Sequence, residues 1–220
     1  SYPNEYILKN EFLKKFIIEE LGSSNSIVFN EFKIGKAIAD LVMFNGISKV
    51  FEMKSVLDSS ERLNHQITQY KKIFNEVYLV VPKLQLENYL PYDEEVGVIS
   101  FEVKNNIFEL VRAAKRNIKI DFDVLMEVLH SAEYIEIVKN YFGYSPDMNS
   151  FNQFNICKKL ITQIPIMDLN EIFLATMKKR KIHNSFYKKN TSEFNQISLA
   201  LNLKPNESDA LIEKLKTNII

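Results

Sequence analysis

The chain has 220 residues, of which 46% are hydrophobic and 25% are charged, a balance that is ordinary for globular proteins. Its 28 basic and 28 acidic residues cancel, so tight nonspecific wrapping of nucleic acid by a polycation is not supported. No run approaches the roughly 20 apolar residues of a membrane span, and the first residues lack the pattern of a signal peptide. We therefore expect no membrane partner.

The chain contains a single cysteine, Cys157, and three histidines. One cysteine cannot form an internal disulfide, which favours a reducing, cytoplasmic setting. A zinc site is not expected from so few cysteine and histidine ligands. Any metal ion should instead be a hard ion held by carboxylate oxygens.

Helix and strand patterns alternate through the first half of the chain. The predicted order is a helix over 5–21, strands over 27–34, 37–44 and 49–56, a helix capped by Asp58, and strands over 76–82 and 96–103. Residues 107–112 fit either another strand or the start of a helix. This part of the chain is therefore predicted to form an α/β unit with a mixed sheet.

The second half of the chain has a different character, because helical patterns follow one another with prolines between them. Helices are predicted over 121–142, 150–164, 168–182, 192–201 and 207–217. The simplest division is an α/β core over 1–115 and an all-helical extension over 116–220.

Acidic and basic residues interrupt two of the predicted apolar strands, at Asp40 and at Glu52-Met53-Lys54. Glu52 and Lys54 are two residues apart, so they share one face of their strand. A two-residue turn at Asn45-Gly46 would point Asp40 to the other face. A three-residue turn with a bulge, or a bulge elsewhere in the hairpin, would bring all three side chains together. We therefore expect an irregular hairpin.

Two carboxylates a few ångströms apart repel each other unless a cation lies between them. Mg²⁺ (or Mn²⁺) suits this arrangement, since it accepts one or two carboxylates and keeps water or phosphate oxygens as its other ligands. Such an ion polarises a phosphate and lowers the pKa of a bound water. Lys54 could then orient the attacking water and stabilise the charge that develops on phosphorus.

Asp40 followed by Glu52-x-Lys54, in the element order αβββαβ, resembles the PD-(D/E)XK nuclease superfamily. Gln66-x-x-x-Tyr70 is similar to the QxxxY motif of its RecB-like branch. The opening Asn4-Glu5-Tyr6, followed by Lys9-Asn10, looks like a family of small bacterial proteins of this class. One departure is Ala39, which stands where the superfamily often has proline. The resemblance covers residues 4–103 and implies a restriction-endonuclease-like core.

The resemblance also implies a set of site residues. Asp40 and Glu52 would hold the metal ion, assisted by the Met53 carbonyl, and a glutamate of the first helix would complete the site. Glu5 is the first candidate for that role, and Glu11 and Glu31 are weaker ones. The residues expected to act in catalysis are Asp40, Glu52, Lys54, Gln66 and Tyr70.

A basic cluster near residue 180 is the remaining candidate site. It consists of Lys178, Lys179, Arg180, Lys181, Lys188 and Lys189. These side chains could bind the phosphates of a nucleic acid, with nearby aromatic rings stacking on bases. The alternative is that they complement the dipole at the end of a helix.

The function that the sequence favours is a metal-dependent nuclease that hydrolyses phosphodiester bonds, and endonucleolytic cleavage is expected. DNA is the expected substrate, and RNA is possible. A catalytically inactive interaction protein with the same fold, or an RNase toxin, are the alternatives. A protein partner or a homo-oligomer is compatible with each of these functions.

Overall fold

The computed structural model describes residues 5–17, 26–54, 62–102, 104–180 and 195–217. In these ranges the chain forms an α/β fold, with one mixed sheet of six strands and helices packed against it. The predicted α/β class is thereby confirmed. No helix in the described ranges is long and apolar enough to cross a membrane.

The six strands lie in the sheet in the same order as in the chain. They are β1 (Ile27–Ile34), β2 (Ala37–Asn45), β3 (Ile47–Met53), β4 (Glu76–Pro82), β5 (Gly97–Glu102) and β6 (Ile107–Arg112). Strands β1 to β3 form an antiparallel meander, β4 and β5 continue it in parallel, and β6 pairs antiparallel at the edge. The segment that fitted either a strand or a helix is therefore an edge strand.

Helices precede, interrupt and follow these strands. They are α1 (Glu5–Phe12), α2 (Leu63–Tyr70), α3 (Leu86–Tyr89), α4 (Phe122–Val128), α5 (Ser131–Phe142), α6 (Gln153–Ile161), α7 (Ile166–Lys179), α8 (Asn195–Ala200) and α9 (Pro205–Thr217). A π-helical turn, Leu13–Ile17, extends α1. The predicted N-cap of α2, Asp58, lies outside the described residues.

The single helix predicted over 121–142 is wrong, because two helices occupy that range. The backbone is extended at Leu129 and His130, with ψ angles of 136° and 157°. The carboxylate of Glu133 accepts a hydrogen bond from the His130 backbone N–H at 2.7 Å and so caps the second helix. The apolar pattern alone did not reveal this break, since both helices carry buried apolar residues.

Alternating side chains give the sheet two buried faces. On β3, Val50 packs into the larger cluster, which α2 and helices α4 to α7 cover. Its neighbour Phe51 points to the opposite face, where it contacts Phe12 of α1 in a cluster that also contains Leu199 of α8. Both faces of the strands that carry the candidate residues are therefore covered by helices.

A buried hydrogen-bond network fastens α7 to the start of β4. Asn75 accepts hydrogen bonds from the backbone and hydroxyl of Ser48, and its amide donates to Asn170 at 3.0 Å. Asn170 in turn donates to the Ile118 carbonyl. The helices that follow residue 116 thus share a core and a polar network with the sheet, and the boundary at 115/116 stays a prediction.

Candidate active site

The turn between β2 and β3 decides which face Asp40 points to. Gly46, with φ +70°, lies at the turn, and Asn45 faces Ile47 directly across it. The pairing keeps one register from there to Leu41 and Phe51. Continuing the same register would set Asp40 opposite Glu52, so the two side chains point to the same face of the sheet.

The prediction that Asp40 shares a face with Glu52 and Lys54 is therefore correct. The prediction of an irregular hairpin is wrong. No bulge interrupts the described β2–β3 pairing; an odd number of residues in the tight turn gives the same alignment. Position 46 of the turn requires a residue that adopts positive φ without strain, and glycine is such a residue.

Asp40 lies where β2 separates from β3. The last ladder pair is Leu41 with Phe51, and beyond it the Asp40 carboxylate takes the place of a backbone acceptor. Its Oδ2 accepts a hydrogen bond from the Met53 backbone N–H at 2.8 Å. The carboxylate is thereby fixed against β3, beside Glu52.

Glu52 is the centre of the cluster and is only 3% exposed. Its Oε1 accepts hydrogen bonds from Lys54 Nζ at 2.9 Å and from Gln66 Nε2 at 2.6 Å. Its Oε2 accepts one from the Tyr70 hydroxyl at 2.7 Å. Lys54 also donates to Gln66 Oε1 at 3.0 Å, so the lysine and the amide hold each other in place.

Helix α2 brings Gln66 and Tyr70 to Glu52. Leu63, Ile67 and Tyr70 are buried at helical spacing and set the face that packs on the sheet. Gln66 and Tyr70 are one turn apart, so both side chains reach the same strand. The five residues predicted to act together, namely Asp40, Glu52, Lys54, Gln66 and Tyr70, do lie together.

Burial and the nearby Asp40 carboxylate raise the pKa of Glu52 above its usual range, and Lys54 and Tyr70 offset only part of this effect. Burial and the charge of Glu52 also raise the pKa of Tyr70, so its hydroxyl stays protonated and available as a donor. A carboxylate with a raised pKa next to a second carboxylate is an arrangement that a bound cation relieves.

Lys9 of α1 also belongs to the site and was not predicted. Its Nζ lies 2.8 Å from Asp40 Oδ1, and the lysine side chain is only 6% exposed. The sequence does carry a signal for its burial, since Lys9 precedes the buried residues Leu13 and Ile17 at helical spacing.

The donor set fits a small hard cation. Among the described residues, no group of three His, Cys, Asp or Glu side chains is placed to hold a metal ion. Two adjacent carboxylates are nevertheless the protein ligands that Mg²⁺ commonly uses, with water and phosphate oxygens in the remaining positions. Asp40 and Glu52 would therefore hold the ion, and Lys9 would have to leave Asp40 Oδ1 first.

A model of the family described as Bacteriophage P4 protein cII matches residues 1–204 of the chain. The chain belongs to this family. Protein cII of Enterobacteria phage P4 is 24% identical over 184 residues, which cover 79% of this chain and 68% of that protein. Among solved structures, a protein of unknown function from Silicibacter pomeroyi matches with a TM-score of 0.39 and 17% identity, over 60% of this chain and 92% of that one.

The further glutamates that were considered as metal ligands are not all near the cluster in this member of the cII family. Glu11, in the last turn of α1, accepts a hydrogen bond from Asn106 and lies 3.9 Å from Lys15, so these are the partners of its carboxylate that the structure describes. Glu31 is exposed and has a φ of 53°. The side chain of Glu5 lies outside the described part of the structure, so its role stays a prediction, as does that of the Met53 carbonyl.

Two of the three described residues of the basic cluster are engaged with acidic side chains of α5. Lys179 lies 2.8 Å from Glu136, and Arg180 contacts Glu133 through two nitrogens at 2.7 Å each. Arg180 also donates to the Val128 carbonyl. Lys178 is half-buried, and Lys181, Lys188 and Lys189 lie outside the described residues, so nucleic-acid binding by this cluster stays a prediction.

Proposed function

We propose that the protein is a metal-dependent nuclease, with a PD-(D/E)XK-like site built from Asp40, Glu52 and Lys54. The observation that carries this proposal is the convergence of Lys54, Gln66 and Tyr70 on the buried carboxylate of Glu52, next to Asp40. An antiparallel meander followed by a helix and a parallel fourth strand supports a restriction-endonuclease-like core. The helices after residue 116 would form its substrate- or partner-binding extension.

Each residue of the cluster has a role in this proposal. Asp40 and Glu52 hold Mg²⁺ or Mn²⁺, which when bound supplies the charge that polarises the scissile phosphate and acidifies water. Lys54 stabilises the negative charge that develops on the phosphate oxygens. Gln66 orients Lys54 through the hydrogen bond between its Oε1 and Nζ. Tyr70 keeps the Glu52 carboxylate in one orientation.

DNA is the proposed substrate, and RNA is the alternative that the same residues allow. Net charge is zero over the whole chain, so electrostatic attraction to nucleic acid would come from local groups and the metal ion. Sequence-independent affinity should therefore be low at physiological salt. A protein partner or a second copy of the chain could supply further contacts.

One observation favours a second function, that of an interaction protein which keeps the nuclease fold without cutting. Lys9 and Lys54 neutralise Asp40 and Glu52, and the described carboxylate oxygens all have protein partners. A site that is balanced in this way is stable without a metal ion. A binding protein of this kind would keep the fold and would not need divalent cations.

The test is a cleavage assay with supercoiled plasmid, linear duplex DNA, single-stranded DNA and RNA, each with Mg²⁺, Mn²⁺ or EDTA. The nuclease proposal expects cutting that EDTA stops and that Glu52→Gln and Lys54→Met each reduce at least about 100-fold. Cutting of RNA alone would identify an RNase. Absence of cutting on every substrate, together with absence of Mn²⁺ binding, would favour the interaction protein.

A further inference from the structure

Lys9 reaches the site from the opposite face of the sheet. It lies on α1 between Leu8 and Phe12, which pack into the cluster on that face. Its ammonium nevertheless contacts Asp40 Oδ1, while Asp40 Oδ2 is held by the Met53 backbone. A lysine that is only 6% exposed loses most of its hydration, so the ion pair with Asp40 compensates for its burial.

Among the residues that the structure describes, the charges of the cluster balance. Lys9 and Lys54 contribute two positive charges, and Asp40 and Glu52 contribute two negative charges. A divalent cation added to this set would bring the local charge to plus two. Lys9 and a metal ion therefore compete for Asp40, because each positive charge is compensated by the negative charge of the same carboxylate.

We propose that Lys9 is a positioning residue that holds Asp40 until a metal ion and a nucleic-acid phosphate bind together. When the ion takes Asp40, the ammonium of Lys9 is released to a backbone phosphate of the substrate. The two charges of the ion are then balanced by two phosphodiester groups, each of which carries one negative charge. This inference rests on the proposed nuclease function and adds a regulation of its site.

Two consequences distinguish this role from a purely structural ion pair. Metal binding in the absence of nucleic acid should be weak, because the ion must displace an ammonium from a buried carboxylate. Removing the ammonium should then make the protein bind the ion more tightly, whereas the loss of a merely structural contact would leave metal affinity unchanged or lower it.

The experiment titrates Mn²⁺ into the whole protein without nucleic acid and measures free Mn²⁺ by electron paramagnetic resonance. Lys9→Met is expected to lower the Kd for Mn²⁺ about 10-fold or more relative to the wild type. Lys9→Arg keeps the positive charge and should restore weak binding. Lys49→Met is the matched control, since Lys49 of β3 also pairs with a partly buried carboxylate, Glu76 of β4.

Asp40→Asn identifies the site at which the ion binds, because it should abolish Mn²⁺ binding in the wild-type and Lys9→Met backgrounds alike. Circular dichroism checks that each variant is folded, and Lys9→Gln replaces Lys9→Met if the latter is not. Equal or weaker Mn²⁺ binding by folded Lys9→Met or Lys9→Gln than by the wild type, with binding that still depends on Asp40, would overturn the role of Lys9 and leave the nuclease proposal standing. Absence of Mn²⁺ binding in every protein, including the Lys9 variants, would instead refute the metal site itself.

Discussion

Glu52 is the residue on which the account depends. Three side chains from two elements donate hydrogen bonds to it, and the adjacent Asp40 carboxylate raises its pKa further beyond the effect of burial. A buried charged group without partners would cost several kcal/mol. The partners of Glu52 therefore stabilise the fold and at the same time hold its oxygens in one orientation.

The Tyr70 hydroxyl lies 2.7 Å from Glu52 Oε2 and 2.9 Å from the Ile38 carbonyl, so Tyr70→Phe removes the donor for both. We expect the free energy of unfolding to fall by about 1–3 kcal/mol, because a buried acceptor is left unsatisfied. Tyr78→Phe is the matched control, since its hydroxyl donates to a more accessible carboxylate, Glu76, at 2.9 Å. Urea unfolding measures both, and an equal loss in the two variants would contradict the central place of Glu52.

Lys54→Met leaves Glu52 buried without its ammonium partner, so we expect a loss of about 3 kcal/mol in the free energy of unfolding. The double variant Glu52→Gln/Lys54→Met should regain a large part of that loss, because neither charge is then left alone. Lys49→Met provides the comparison, because Lys49 and Glu76 form an ion pair that is more accessible and has a longer N–O distance. If Lys54→Met were no more destabilising than Lys49→Met, the ion pair with Glu52 would not be a buried one in solution.

At the scale of elements, the β2–β3 hairpin shows what the sequence could predict. The i,i+2 spacing of Glu52 and Lys54 is a local property of a strand, so their common face was predictable. The i,i+4 spacing of Gln66 and Tyr70 was predictable for the same reason. The geometry of the turn was not, because several loops around Asn45-Gly46 give the same alignment and differ only in backbone detail.

Contacts between distant elements were less accessible to sequence reasoning. Lys9 reaches Asp40 from the opposite face of the sheet, a contact that no local pattern encodes. The basic residues Lys179 and Arg180 looked free in the sequence, yet they face Glu136 and Glu133 of α5. The sequence shows that α5 carries the acidic residues Glu133 and Glu136, but it does not show that α5 packs against α7.

The pair of Arg180 and Glu133 joins the end of α7 to the start of α5. Burial would raise the pKa of Glu133, but the hydrogen bonds from Arg180 and the His130 backbone outweigh it and lower the pKa. A lowered pKa means that the carboxylate contributes stability above its unfolded pKa and loses that contribution as the pH falls through its folded value.

We therefore expect Glu133→Gln to destabilise the protein at pH 7, by about 1 kcal/mol for a partly exposed pair. The difference from the wild type should shrink as the pH falls below the unfolded pKa of a glutamate, about 4.3, and through the lower pKa of Glu133 in the folded protein. Thermal unfolding across this pH range, followed by circular dichroism, measures it. A difference that stays constant would show that Glu133 is not held as a charged partner of Arg180.

At the scale of the whole molecule, the described helices after residue 116 pack on the same core as the sheet. Phe173 of α7 contacts Phe44 of β2 and Phe74, which follows α2, with ring centroids 5.6 and 6.5 Å apart. Val124 and Leu125 of α4 belong to that cluster as well. The division at 115/116 that composition suggested separates two kinds of element, whereas the buried contacts cross it.

Because these contacts cross the division, we expect the protein to unfold in a single cooperative transition. Far-UV circular dichroism and tyrosine fluorescence should give the same midpoint in urea. A fragment of residues 1–115 should fail to fold, since it would expose the apolar face that α4 to α7 cover. Two separated transitions, or a folded fragment, would show that the helical part is an independent domain.

The measurement that tests the central claim most directly is Mg²⁺-dependent cleavage by a matched pair of variants. Glu52→Gln and Glu76→Gln each remove the charge of a carboxylate that contacts a lysine and a tyrosine. The account predicts that the wild type and Glu76→Gln cut nucleic acid at similar rates and that Glu52→Gln does not. Equal cutting by the two variants would contradict the claim that Asp40, Glu52 and Lys54 form the active site.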